Sequence, residues 1–279
     1  MIKCIEFPEK TFSTKEEMFD ELIKNEKLII AEKCSKIYQD KCAVDFVSVD
    51  SETIKGMDNM KAGHVYPIVS TTRFFDSHKD VHFDGCFGKT VKEQQGRVNY
   101  CLDHELRYDT VVAWDSKVKM FIDNIPWSMV GKAYPGTTQA LIFDIKEEDF
   151  RRKDVLADIK NKVSAFQNSI RMQYITIKLG VDSDKAEHKE YKTYFDARKA
   201  EIVNFDEVEK DGYFWGVEVL AIRKEASLVV AGGSNSATAI QMIDDEEPPA
   251  GTRKDIDSRS KNTIDRKEIV NLFKTYLKN

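Results

Sequence analysis

The spacing of apolar residues divides the chain into three regimes. Near the N-terminus, Met18, Phe19, Leu22 and Ile23 recur at helical spacing and form one apolar stripe. Ser13 or Thr14 is placed to cap that helix, and Glu16 and Glu17 in its first turn favour the positive end of the helix dipole. Residues 1–42 therefore read as a strand and a helical arm. From residue 43 to about 230 the period shortens to two. Ala43–Val49, Val65–Val69, Val98–Leu102 and Val111–Trp114 read as strands, and Gly85–Glu93 as a turn entering a short helix. Glu147–Lys162 carries Phe150, Val155, Leu156 and Ile159 at helical spacing. A long alternating run from Ser169, then Tyr213–Ile222 and Ala226–Ala231, complete the strands. Strands outnumber helices and alternate in polarity, which predicts an α+β protein with a mainly antiparallel β-barrel core and flanking helices over residues 43–243. Residues 244–279 open with the linker-like Asp244-Asp-Glu-Glu-Pro-Pro-Ala-Gly. They end with Ile269, Leu272, Phe273, Tyr276 and Leu277 at i, i+3, i+4, i+7 and i+8, an amphipathic helix.

Composition narrows the class. The chain has 279 residues, 41% hydrophobic and 33% charged, too apolar for wholesale disorder and long enough for a sizeable core. No apolar run approaches the roughly 18 residues of a membrane helix, and Glu6 arrives too early for a signal peptide. With 43 basic against 48 acidic residues the net charge is −5, so a phosphate-binding surface is not expected. Cys4, Cys34, Cys42, Cys86 and Cys101 are odd in number and form no C-x-x-C pair, which suits reduced thiols packed as small hydrophobes. These features describe a soluble, globular, intracellular protein.

Familiar chemical signatures fail. Gly88-Lys89-Thr90 resembles the end of a phosphate loop, but Phe83 stands where that loop needs glycine. There is no G-x-G-x-x-G and no G-x-S-x-G, and no cofactor is indicated. His78 and His82 with His104 could ligate a metal, yet their segment lacks the helical support such spacing normally uses.

Three segments carry the remaining signal. The first is Ser70-Thr-Thr-Arg-Phe-Phe-Asp-Ser-His-Lys-Asp80-Val-His-Phe-Asp-Gly85-Cys-Phe87, leading to Leu102-Asp-His104-Glu. The second is Phe166-Gln-Asn-Ser169-Ile-Arg-Met-Gln-Tyr, and the third is Glu225-Ala-Ser227-Leu-Val-Val, leading to Asn235-Ser-Ala237. In this order they resemble the bacteriophage prohead (capsid maturation) serine proteases, relatives of the herpesvirus assemblins. That family shows D-x-x-x-x-G-x-F, a histidine after a strand, a Ser-Ile or Ser-Val opening a later strand, and E-V-S-L-V before an Asn and Ala. The resemblance spans roughly residues 65–240. The chain departs from it at Arg171 and Met172, where a small residue and an aromatic are usual, and at Gly232-Gly233-Ser234, where a proline is usual.

The resemblance implies a His-Ser-Glu triad at His104, Ser169 and Glu225. Chemistry asks for the same three roles: a hydroxyl nucleophile, an imidazole base, and an acceptor for the second ring nitrogen. Ser164 is a rival nucleophile without the following Ile. Glu218 competes with Glu225; seven residues apart on one regular strand, the two would face opposite sides. Asp103 is too near His104 in sequence to serve it well. Arg171 shares the strand face of Ser169, either as an oxyanion support or as a surface residue. The implied function is endoproteolytic maturation of a phage procapsid. Its partners would be scaffold and major capsid proteins and possible further copies of the chain, inside procapsids assembling in the bacterial host cytoplasm, with no membrane and no direct nucleic-acid contact. A catalytically inactive scaffolding relative is the alternative.

Overall fold

The computed structural model describes residues 1–36, 60–230 and 235–243. The expected strand at Ala43–Val49, Cys42, the Gly232-Gly233-Ser234 departure, the linker from Asp244 and the C-terminal helix lie outside the described residues.

Two short antiparallel strands, β1 (Ile2–Lys3) and β2 (Thr11–Phe12), precede helix α1 (Lys15–Lys24). Thr14 is its N-cap: Oγ1 accepts the Glu17 N–H (3.2 Å), and the Glu17 carboxylate accepts the Ser13 N–H (2.8 Å). Met18, Phe19 and Leu22 of the stripe are buried. The arm breaks at Asn25 and continues as α2 (Glu26–Ser35). It is fastened to the rest of the chain by buried and half-buried polar contacts. Glu6 accepts from Tyr213 Oη and Trp215 Nε1, both at 2.6 Å, and Lys33 Nζ lies 2.7 Å from Asp80 Oδ1.

The body continues through β3 (His64–Thr71), β4 (Asp80–His82), α3 (Gly88–Gln94), β5 (Asn99–Leu102) and β6 (Val111–Ala113). After β7 (Lys119–Pro126) and β8 (Thr137–Lys146), α4 (Lys153–Lys160) leads to the long β9 (Gln167–Val181). Helices α5 (Lys189–Arg198) and α6 (Phe205–Asp211) follow, then β10 (Tyr213–Val229) and β11 (Ala239–Met242). One sheet has the order β4-β10-β5-β6, with β9 on the other edge of β10; a second has the order β11-β3-β8-β7. Among the described residues the class is α+β and most pairings are antiparallel, but the sheets form no closed barrel. Closure fails because β10 gives one edge to both β4 and β5, in parallel register, leaving each sheet its own end strands.

The expected strands Tyr213–Ile222 and Ala226–Ala231 fall on one strand, β10, which ends at Val229; Ala231 lies outside the described residues. Arg223-Lys224 resembles a turn, yet the pair is absorbed in a bulge. Four steps from Ile222 to Ala226 oppose the two steps from Met172 to Ile170, with Lys224 at φ 71°. The Lys224 carbonyl accepts from Asn99 Nδ2 (3.3 Å), and Arg223 Nε donates to Gln173 (2.9 Å). The expected helix over 147–162 is shorter, because Glu147–Asp149 forms a separate 3₁₀ turn before α4.

The main core lies between the two large sheets. Val65 and Val69 of β3 and Leu141, Phe143 and Ile145 of β8 meet Tyr100, Ile170, Met172, Ala226 and Leu228 of the opposing sheet. Burying side chains of this size stabilises the fold by roughly 1.5–3 kcal/mol each before entropy is counted. No helix among the described residues is long and apolar enough to cross a membrane.

Candidate active site

Three neighbouring strands converge on one point because β10 lies between β9 and β5. Ser169 of β9 stands directly across from Ser227 of β10, and Ser227 is in register with Cys101 of β5 on the other side. Beyond β5 the chain turns through Asp103 (φ 48°) and His104 (φ 60°), a left-handed pair of residue types that tolerate this region. The turn is pinned from below. The Asp103 N–H donates to the Leu228 carbonyl (3.1 Å), the His104 N–H to Ser227 Oγ (3.0 Å), and the Glu105 N–H to the Leu102 carbonyl (2.9 Å). The following loop is held by Arg151, whose guanidinium lies 4.3 Å from the Tyr108 ring centre and 4.5 Å from that of Trp114.

This turn aims the imidazole of His104 back over the sheet. Nε2 lies 2.7 Å from Ser169 Oγ, and Nδ1 lies 2.9 Å from Glu225 Oε1. The second carboxylate oxygen of Glu225 accepts from Ser227 Oγ at 2.7 Å. The side chains of His104 and Glu225 are 5% and 0% exposed, and Ser169 is 2% exposed. A carboxylate so buried is tolerable only with its oxygens hydrogen-bonded, and here each has a donor. Since Glu225 only accepts, the hydrogen on Nδ1 faces it and Nε2 is left with a lone pair toward Ser169. The arrangement can take a proton from the serine hydroxyl.

The strand that carries Ser169 is fastened by the residue before it. Asn168 is fully buried; its Nδ2 donates to the Ile68 (3.2 Å) and Ala239 (2.7 Å) carbonyls, and its Oδ1 accepts from Tyr100 Oη (2.7 Å). One side chain thus ties β9 to β3, β11 and β5. Asn235, in the third segment, accepts the Ala237 N–H (2.9 Å) and donates to the Thr71 carbonyl (2.9 Å), holding the chain where it enters β11.

The competing residues go elsewhere. Glu218 is bound by Tyr194 Oη (2.7 Å) and Arg198 Nη2 (2.9 Å). Ser164 lies ahead of β9, where its carbonyl accepts the Phe166 N–H (2.9 Å). Arg171 is half-buried on β9, and its Nε has no hydrogen-bond partner among the described residues. The histidines do not gather around a metal position either. His82 is buried edge-on against Phe87 and Tyr174, with ring centres 6.0 Å apart in both pairs, and His104 faces Ser169 and Glu225. His78 clusters instead with Asp76 and Asp80, and Asp80 already binds Lys33 Nζ and Tyr174 Oη, each at 2.7 Å. Lys33 supplies the positive charge there.

A second constellation of the same residue types joins α1 to the segment before α5. His188 Nε2 lies 3.0 Å from Asp20 Oδ1, and Nδ1 lies 2.9 Å from Ser183 Oγ. Ser183 donates its own proton to Glu16 Oε2 at 2.7 Å. Its hydroxyl therefore receives from His188 and has nothing to give it.

Two participants are absent from the sequence-based site: Ser227 and Asn168. Ser227 leaves a signal, because Glu-x-Ser in a strand puts both side chains on one face. Asn168 leaves none, since its partners are distant in sequence. Compared with protein-family models, with curated proteins and with solved structures, the chain matches none.

Proposed function

We propose that this chain is a serine endopeptidase that matures a phage procapsid, cleaving scaffold and capsid-precursor segments and itself as well. The observation that carries the reading is the single imidazole lying 2.7 Å from a serine hydroxyl and 2.9 Å from a buried carboxylate. In this reading Ser169 Oγ attacks the scissile carbonyl while His104 Nε2 takes its proton. His104 then passes that proton to the leaving amine, and a water activated by the same nitrogen hydrolyses the acyl-enzyme. Glu225 holds the ring and balances the imidazolium charge while it exists. Exposed apolar residues stand near the site residues along the chain, with Leu106 just after His104, Val230 just after β10 and Val163 ahead of β9. The ordered resemblance to the prohead proteases supplies the substrate class, the procapsid setting, and a barrel-type parentage for the two large sheets.

One observation favours a second reading, an inactive relative that acts as a scaffolding protein: Ser169 is only 2% exposed. A serine-reactive fluorophosphonate probe separates the two. Labelling of the folded protein that vanishes in Ser169→Ala supports the protease, together with loss of cleavage of co-expressed scaffold. No labelling, with cleavage unchanged by Ser169→Ala, overturns it.

A further inference from the structure

We infer that Ser227 is a positioning residue for the triad, acting through both Glu225 and the backbone of His104; this rests on the protease reading above. A serine hydroxyl has one proton and two lone pairs. The Glu225 carboxylate can only accept, so the Ser227 proton points to Oε2 (2.7 Å), and a Ser227 lone pair accepts the His104 N–H (3.0 Å). The loop is closed, and its hydrogens all point toward Glu225. His104 N–H donates to Ser227, Ser227 donates to Glu225, and Glu225 accepts the Nδ1 hydrogen of the same histidine (2.9 Å). One hydroxyl thereby fixes the carboxylate's rotation and the left-handed backbone that aims the ring.

Ser227 lies directly across from Ser169 on the neighbouring strand, so two hydroxyls stand close to one imidazole. They differ in the partner of their proton. Ser169 Oγ faces Nε2, which has the free lone pair, and Ser227 Oγ faces a carboxylate that it stabilises. Ser227 is also wholly buried, out of reach of a substrate carbonyl. Without its hydroxyl, Glu225 Oε2 would be a buried charged oxygen lacking a donor, and the His104 N–H would lose its acceptor. Both losses loosen the base without touching the nucleophile.

The test uses the full chain with Ser227→Ala and Ser227→Thr, the second retaining a hydroxyl. Saturation kinetics of fluorophosphonate labelling give a maximal rate and a half-saturating concentration. Ser227→Ala should lower the maximal rate at least about tenfold, the scale of a lost hydrogen bond to a charged group. The half-saturating concentration should stay within about twofold, and Ser227→Thr should restore most of the rate. A second readout needs no catalysis. In Ser169→Ala protein, ring ¹⁵N spectra of His104 should show the neutral ring protonated at Nδ1, and adding Ser227→Ala should give a mixture of tautomers. Unchanged labelling and an unchanged ring spectrum in Ser227→Ala would overturn the inference. If the native protein fails to label, the protease reading falls, while the ring spectrum still decides whether Ser227 sets the histidine.

Discussion

Replacing His82 with phenylalanine should remove a specific part of the protein's acid sensitivity. Burial pushes the His82 imidazole from its ordinary 6.5 down to about 4, because a charged ring in that position would lose its hydration. The Asp80 carboxylate pulls the other way without matching the effect, and His78 adds to it. The ring packs edge-on against Phe87 and Tyr174; Nδ1 lies 3.4 Å from Ser70 Oγ, while Nε2 has no partner among the described residues, so a proton there would stand unpaired. Between pH 6.5 and 4 the unfolded chain therefore binds a proton that the folded chain refuses. The stabilisation is complete above pH 6.5 and is lost as pH falls toward 4. At about 1.4 kcal/mol per pH unit the full gap is worth about 3 kcal/mol, of which about 2 kcal/mol is lost between pH 7 and 4.5. Phenylalanine keeps an aromatic edge in the same space and cannot titrate. Urea unfolding followed by tryptophan fluorescence, at a series of pH values, measures the difference between the two proteins. The variant should lose about 2 kcal/mol less than the native chain over that interval. Parallel losses in the two would refute the argument and mean that His82 is solvated or paired when protonated.

Further perturbations test other parts of the structure. Ser183→Ala should leave fluorophosphonate labelling unchanged where Ser169→Ala abolishes it, since Ser183 gives its proton to Glu16; labelling lost in Ser183→Ala would move the site. Lys33→Met leaves the buried Asp80 carboxylate without its cationic partner, with Tyr174 as the remaining side-chain donor among the described residues, and should cost about 3–5 kcal/mol in urea unfolding. A loss below about 1 kcal/mol would show that the N-terminal helices are a loose appendage. Gly216→Ala would set a methyl 2.1 Å from Tyr194 Oη and 2.8 Å from Phe83. It should destabilise by about 1–3 kcal/mol, read as a lower melting temperature, while an unchanged one would mean that the Tyr194–Glu218 pair shifts freely.

What could be read in advance was local. The cap at Thr14 and the buried stripe of α1 depend on residues within one or two turns of each other, and both stand in the structure. Strand β9 alternates from Ile170 to Tyr174 because one face is buried there, and β5 and β6 are short apolar runs buried through their middles, so the positions of all three are legible too. The antiparallel pair β7–β8 leaves a weaker signal in the sequence, because Asp123 and Asn124 interrupt β7. Helix α5 buries a single residue of its Lys-rich sequence, Phe195, and so gave little periodic signal. Bulges are the hardest case. Lys224 at φ 71° keeps β10 continuous through a charged pair that looks like a stop, and no short-range rule requires it. His104, Ser169 and Glu225 were legible as residue types in order. Their distances were not, because these depend on β10 running between β9 and β5.

The two Ser–His–acid groups show why residue types and distances underdetermine a site. Both place a ring nitrogen 2.7–2.9 Å from a serine oxygen and the other nitrogen 2.9–3.0 Å from a carboxylate. The difference lies in the next partner along each chain of hydrogen bonds. At Ser183 an additional acceptor, Glu16, takes the hydroxyl proton, so the histidine must donate and the serine oxygen gains no basic neighbour. At Ser169 no acidic group competes for that proton among the described contacts, and the extra hydroxyl, Ser227, sits behind the carboxylate instead. Adding a donor behind the acid fixes the base; adding an acceptor beside the serine removes the need for one. Proton direction, counted outward from the imidazole until every acceptor-only group is met, distinguishes a general base from a structural clasp.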